Sequence, residues 1–429
     1  MLTLESGSGE RRVLALLGGL CLSLSAVEYV IPRPLPFMRI GLANMPLLLA
    51  LDIVSPSGFF LLALLKVLGQ GIISGSLFSY VFLFSIAGTF SSAAVMFVLR
   101  RGIPARRMFC VKGDSVRHRT GFAGIGCAGA MISNGVQLLL ARYLVFGAAL
   151  KYLIPPFLAA GLVSGVALGI FCEIFCGRSK WYAVHTGKTT SDAVPPETRT
   201  KTAGERVLCP PYKSKREERR LQRRGRWNVF FAGGGLFTAA GIMALLFLFN
   251  PSIPSRVLQF VFFCFLAWFS GKKNNLLLTA AVIAGIVFFN LLVPGGKVLF
   301  QIGQLHITQG SLLLGTGKAV TLEGLVMLSS ACIKSDLRLP GRIGSLLAES
   351  MRLLEFLREH KGIINRGSVI EGIDNLMLKA ESLIKTGGCT GSTAKNAIPG
   401  KKQRIKQLLI LLTIVLVTLT ISLLFYRHP

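Results

Sequence analysis

Acidic residues are scarce in this chain: 19 Asp and Glu stand among 429 residues, against 48 Lys and Arg. Charged residues make up only 16% of the sequence, whereas a soluble domain carries about 25%. So little charge cannot clothe a water-facing surface of this size, which excludes a conventional soluble enzyme. Histidines number five, and the nine cysteines show no metal-binding spacing. Cys172 and Cys176 lie one helical turn apart, but neither His nor further Cys accompanies them.

Catalytic signatures are missing too. A phosphate loop needs G-x-x-x-x-G-K-[ST], and two segments come near it. Gly315-Thr316-Gly317-Lys318 is followed by Ala319 where the metal-binding hydroxyl belongs. Gly187-Lys188-Thr189 has Tyr182 in place of the first glycine. Isoprenoid condensation needs Asp-rich clusters to hold magnesium and diphosphate, yet Glu217-Glu218 is the only pair of adjacent acids. With no Ser–His–Asp or Cys–His pattern, we expect no catalytic residue, no metal and no cofactor. The chain is not expected to be an enzyme.

What the chain has is apolar length. Hydrophobic residues form 52% of it and the mean hydropathy is +0.60. A bilayer core about 30 Å thick takes roughly 20 apolar residues of helix. Such runs occur at Val13–Ile31, Gly41–Val54, Gly58–Leu77, Tyr80–Leu99, Gly121–Phe146 and Leu153–Cys176. After a polar stretch come Val229–Phe249, Arg256–Phe269, Asn275–Val293, Thr308–Cys332 and Gln407–Tyr426. About eleven spans are expected, the second and eighth being short. Glu28 and Tyr29 replace the small residues of a signal cleavage site, so the first run reads as a retained helix.

The formal charge of +29 then has a place to go. With the N-terminus in the cytoplasm, 39 of the 48 Lys and Arg fall in cytoplasmic segments, as the positive-inside rule requires. The basic clusters lack interleaved aromatics, which argues against a nucleic-acid partner. They sit beside membrane exits, where anionic lipid would hold them. The expected location is the inner (cytoplasmic) membrane, multi-pass.

The chain divides into blocks. Residues 1–177 hold six spans, 178–227 read as a basic cytoplasmic linker, and 228–333 form a second membrane block. Residues 334–406 carry cytoplasmic amphipathic helices: Leu346, Leu347, Met351, Leu354 and Leu357 recur at helical spacing, and Val369–Ile384 repeats the pattern. Residues 407–429 read as an anchor helix. The fold class is an all-α polytopic membrane protein, a six-helix bundle plus a second helical membrane block.

Ionisable residues inside spans default to functional candidates. Lys66 is mid-span, with Gln70 one turn on; together they suit an anionic or carbonyl-bearing ligand. Alternatively, Lys66 pairs with an acid of a neighbouring helix. Glu28 and Asp52 lie near span ends, with Asn44, Asn134 and Gln137 as uncharged company. Lys318 and Glu323, five apart, read as a structural pair. Small-residue stripes run along Ala15, Gly19 and Ser23, along Gly161, Gly165 and Gly169, and through Gly71 and Gly75. They let backbones approach, either within the bundle or against another membrane subunit.

Residues 36–44 (Pro36-Phe37-Met38-Arg39-Ile40-Gly41-Leu42-Ala43-Asn44), Leu65-Lys66-Val67-Leu68-Gly69-Gln70-Gly71 and Ser85-Ile86-Ala87-Gly88 resemble the Gx transporter family. That family is also labelled heptaprenyl diphosphate synthase component I. It is similar to the six-helix substrate-binding (S) subunits of energy-coupling-factor (ECF) transporters. The resemblance implies substrate contacts at Arg39, Asn44 and Lys66, and docking of a coupling subunit on Ala15, Gly19 and Ser23. The second half resembles the transmembrane coupling (T) subunit of the same machines. Gly341-Arg342-Ile343-Gly344 and Asn365-Arg366-Gly367 stand as imperfect versions of its short arginine motif.

The resulting expectation is a transporter component that binds a small vitamin-like or isoprenoid-related solute through Arg39, Asn44, Lys66, Gln70 and Glu28. An ATP-binding-cassette ATPase in trans would drive it, docked through Arg342 and Arg366. The alternatives are a secondary transporter driven by an ion gradient and a membrane accessory subunit of a prenyl diphosphate synthase.

Overall fold

In the computed structural model the described residues are 2–30, 41–102, 121–187, 215–231, 235–271, 276–293, 295–302, 305–333, 341–359, 369–385 and 401–424. Arg39 and Arg366 lie outside them. The described chain is almost wholly helical, and each of the eleven apolar runs contains a helix. Among the described residues, six helices are long and apolar enough to cross a membrane: 56–74, 80–101, 122–152, 154–178, 309–332 and 405–423. Four more apolar helices are shorter. The chain is therefore an all-α multi-pass membrane protein.

The N-terminal block comprises α1 (Leu2–Val30), α2 (Met45–Ile53), α3 (Pro56–Ser74), α4 (Tyr80–Phe97), α5 (Phe122–Ala141) and α6 (Ile154–Arg178). Local chemistry sets its boundaries. The Ser55 hydroxyl accepts from Gly58 N at 3.1 Å and Pro56 opens α3, satisfying the first orphan amides. Gly75 ends α3 at φ 70°, the left-handed conformation that suits glycine. It caps a helix rather than extending a stripe with Gly71. Gly126, Gly165 and Gly169 do form a packing stripe: a methyl group on Gly165 would sit 2.7 Å from the Ala130 Cβ. The sixth-helix stripe is thus spent on α5, inside the bundle.

A short α7 (Lys180–Thr186) and an arginine-rich α8 (Lys215–Phe230) fall within the segment expected to be linker. Apolar periodicity missed α8 because Arg, Glu, Leu and Gln favour helix without an apolar stripe. Its end is anchored by the buried Trp227, and the Arg223 guanidinium lies 4.5 Å from the Trp268 ring centre. The second block follows with α9 (Gly235–Leu248), α10 (Ile253–Phe269), α11 (Leu276–Leu291) and α12 (Gln309–Cys332). Between α11 and α12 lies an antiparallel hairpin, β1 (Val298–Ile302) and β2 (Leu305–Thr308), which the helical reading did not anticipate.

Then come α13 (Gly341–Glu359), α14 (Val369–Lys385) and α15 (Lys401–Leu424). The last is more than an anchor. Gln259 of α10 donates through Nε2 to Thr418 O at 3.0 Å and to Ser422 Oγ at 2.7 Å. Lys318 and Glu323 form no ion pair with each other. A spacing of five turns them about 140° apart at ~100° per residue.

The two membrane blocks meet directly, as where Phe78 N donates to Ser329 Oγ at 3.0 Å, and α13 lays its apolar face on the small-residue stripe of α1. Ser350 Oγ donates to Ala15 O at 3.3 Å, and a methyl group on Gly19 would lie 2.7 Å from Leu353 Cβ. Arg11 reaches Ser345 at 3.1 Å and Glu349 at 3.9 Å, so the two helices run in the same direction. A neighbouring clasp holds α14. Asp374 accepts from Ser179 Oγ and from the amides of Lys180 and Trp181, each at 3.1 Å for the amides.

Candidate functional site

Glycine and small polar residues leave room inside the N-terminal bundle. A chamber there is lined by Glu28 of α1, by Gly41, Ala43 and Asn44 before α2, and by Lys66 and Gln70 of α3. Ser85 and Thr89 of α4, Ala130, Ser133, Asn134 and Gln137 of α5, and Ser164 of α6 complete it. The centres of water-sized spheres can occupy about 40 Å³, room for a few waters. Among the described residues no aromatic side chain lines it, and the apolar lining is confined to Gly41, Ala43 and Ala130.

Helical spacing explains the convergence. Lys66 and Gln70 lie one turn apart on α3, Ser85 and Thr89 on α4, Ser133 and Gln137 on α5, so each helix turns one polar edge inward. Among the residues read as substrate-binding from the sequence, the structure unites Glu28, Asn44, Lys66 and Gln70. Asn134 and Gln137, noted there as uncharged company, join them, while Ser85, Thr89, Ser133 and Ser164 went unsuspected. The signal for them was available in the four-residue spacing of polar groups within otherwise apolar helices.

The charges are deeply placed. Lys66 is 5% exposed and donates to Asn44 Oδ1. Glu28 is fully buried; its Oε1 accepts from Gly41 N at 3.0 Å, while Oε2 has no hydrogen-bond partner among the described residues. Although Glu28 lies near a span end, the chain returns at Gly41 to bond its carboxylate and it is fully buried. Gln70 Oε1 accepts from Ser85 Oγ at 3.4 Å, and Gln137 donates to Ser133 Oγ at 3.0 Å. Asn134 Nδ2 donates to Phe157 O at 3.2 Å.

Asp52 is placed elsewhere. Its carboxylate accepts from Arg100 at 3.0 Å (Nε) and 2.6 Å (Nη2), and from the Tyr182 hydroxyl at 2.9 Å. Burial first, then the nearby Cys176 and Asp52, pushes the Tyr182 phenol up from its usual range, so it serves as a neutral donor. Of the residues read as docking groups, Ala15 and Gly19 face α13 of the same chain, Ser23 is half-buried, and Arg342 is exposed at the start of α13.

Residues 17–175, which contain this chamber, match the family described as heptaprenyl diphosphate synthase component I. It is the family that also carries the Gx transporter label, as the motifs at Gly41–Asn44 and Leu65–Gly71 implied. Residues 235–335 match a family described as a domain of unknown function. No match was found among curated proteins or among solved structures.

Proposed function

We propose that the chain is the solute-binding component of a membrane transporter, in the inner membrane, with its ATPase supplied in trans. The observation that carries this reading is the chamber: polar groups from five helices turn inward on a small space, with a carboxylate oxygen that has no partner among the described residues. Buried polar groups are ordinarily paired, and an ionisable one inside a membrane span is a functional candidate. The likeness to the S and T subunits of ECF transporters belongs to this proposal. In its terms, α13 on the α1 stripe would join binding and coupling blocks within one chain.

Affinity purification of the full chain from detergent-solubilised membranes tests the energy source. An ATP-binding-cassette ATPase is expected at near-stoichiometric yield, and its absence under conditions that preserve the chain would overturn the reading. The family name supports a second reading, an accessory subunit of a prenyl diphosphate synthase. Recovery of a prenyl synthase in place of the ATPase would establish that alternative.

A further inference from the structure

We infer that α8 and the last turns of α10 form a site for one anionic phospholipid, with its phosphate on Arg219, Arg223 and Arg226 and an acyl chain along Trp268, Phe265 and Val261. The inference stands apart from the transport proposal and from the chamber. Seven of the twelve residues Lys215–Arg226 are basic. Arg219, Arg223 and Arg226 follow i, i+4, i+7 spacing, which sets three guanidinium groups on one face of α8. Arg219 and Arg226 are exposed.

The contacts hold α8 across the end of α10. Gly271, just past that end at φ 73°, lies so close to α8 that a methyl group on it would be 2.7 Å from Arg220 O and 2.8 Å from Arg224 N. Trp227 meets Phe269 edge to face at 5.9 Å, and the Arg223 guanidinium lies over the Trp268 ring. Residues 268–271 thus touch α8 from Arg220 to Trp227, about 10 Å of helix at ~1.5 Å per residue. Helices running side by side would meet over half that length, so α8 crosses the end of α10 and lies where that helix leaves the apolar layer.

The other half of the site is apolar. Val261, Phe265 and Trp268 repeat the i, i+4, i+7 spacing along α10 and all are exposed, Trp268 by 55%. On a membrane helix such a stripe meets lipid chains, and tryptophan sits at headgroup level. This apolar stripe ends where the arginine stripe begins, at the contact of Trp268 with Arg223. An apolar track headed by cations has the form of a phospholipid, whereas a free anion or an acidic protein would use the cations alone. The planar donor fork of arginine suits a phosphate group. The positive-inside count assigns this end of α10 to the cytoplasmic leaflet, where anionic lipid gathers.

The test uses the full-length chain in nanodiscs of zwitterionic lipid, doped with brominated phosphatidylglycerol or brominated phosphatidylcholine. Bromine on an acyl chain quenches an indole that it touches. Of the three tryptophans, Trp181 and Trp227 are buried and Trp268 is exposed, so quenching reports on Trp268. At equal mole fraction the brominated phosphatidylglycerol should quench more strongly, and the excess should vanish in Trp268→Phe. Arg219→Gln, Arg223→Gln and Arg226→Gln should each weaken phosphatidylglycerol about fivefold. Equal quenching by the two lipids overturns the assignment, as does an excess that persists in Trp268→Phe or in the triple arginine variant. Millimolar inorganic phosphate should leave the excess in place; its abolition would make the site one for a free anion and overturn the lipid. If variants at Arg223 do not fold, the exposed pair Arg219→Gln with Arg226→Gln decides: the excess should fall more than tenfold in affinity, and an unchanged excess overturns the assignment.

Discussion

The two membrane blocks contain the same kinds of buried polar residue and use them in opposite ways. In the second block, Asn250 donates to Gln259 Oε1 at 3.0 Å and to Ser255, and Gln259 donates onward to Thr418 and Ser422. Arg256 reaches Asn250 O at 2.6 Å and Thr321 Oγ1 at 3.2 Å. These groups form a closed seam that ties α15 to α10. In the first block the polar edges of five helices surround a space, and Glu28 keeps an oxygen without a partner among the described residues. Residue type does not separate glue from site. What separates them is whether the bonding capacity is used up.

The largest expected effect is at the chamber. Lys66→Met removes the lining cation among the described residues and should cut solute uptake by about a hundredfold or more, as loss of a buried charge-assisted contact implies. The unfolding temperature should change far less than uptake. Should the variant unfold instead while retaining uptake in its surviving fraction, Lys66 would be glue and the contrast between blocks would collapse.

Next comes a buried pair within the same block that is already closed. Asp52 and Arg100 are 9% and 8% exposed and lie 2.6 Å apart. Asp52→Ala leaves the guanidinium uncompensated and should cost about 3–5 kcal/mol of stability, read as a lower unfolding midpoint. An ion-gradient mechanism that used Asp52 as its titrating group would predict loss of coupled uptake without that destabilisation. The doubly bonded geometry favours the structural outcome.

Between the blocks, Gly19→Leu drives a side chain into Leu353 and should unseat α13 from α1. A cysteine pair at Ala15 and Ser350, which lie in hydrogen-bond contact, should cross-link efficiently in the parent and severalfold less with Gly19→Leu present. Equal cross-linking would mean that the stripe does not set this contact.

These particulars show what was legible beforehand. Apolar runs located the helices because membrane-spanning length is a one-dimensional property. Lys66, Gln70 and Asn44 stood out because polar groups in such runs are rare. The hydroxyls at Ser85, Thr89, Ser133 and Ser164 did not. Serine and threonine can satisfy themselves on their own helix, as Ser91 does with Ala87 O at 2.7 Å. The sequence pattern likewise showed that α13 is amphipathic and that α1 has a small-residue stripe, but not that one covers the other. Contacts separated by more than 300 residues leave no local periodicity. The β1–β2 hairpin lies in the connection between the apolar runs Asn275–Val293 and Thr308–Cys332, where a criterion of membrane-spanning length assigns no element.

The smallest effect gives the sharpest test of the seam. Ser422→Ala removes one of two acceptors for Gln259 Nε2, and the other, Thr418 O at 3.0 Å, belongs to the backbone and stays. The donor is therefore not orphaned, and the cost should be only about 0.5–1 kcal/mol, a net hydrogen bond without a desolvation penalty. Gln259→Leu takes away the donor itself and its acceptor for Asn250, and should cost about 1–3 kcal/mol. Neither change should alter solute affinity in the first block. If Ser422→Ala left the unfolding midpoint in place yet abolished uptake, the seam would be acting in transport, and bonding capacity used up would no longer distinguish glue from site.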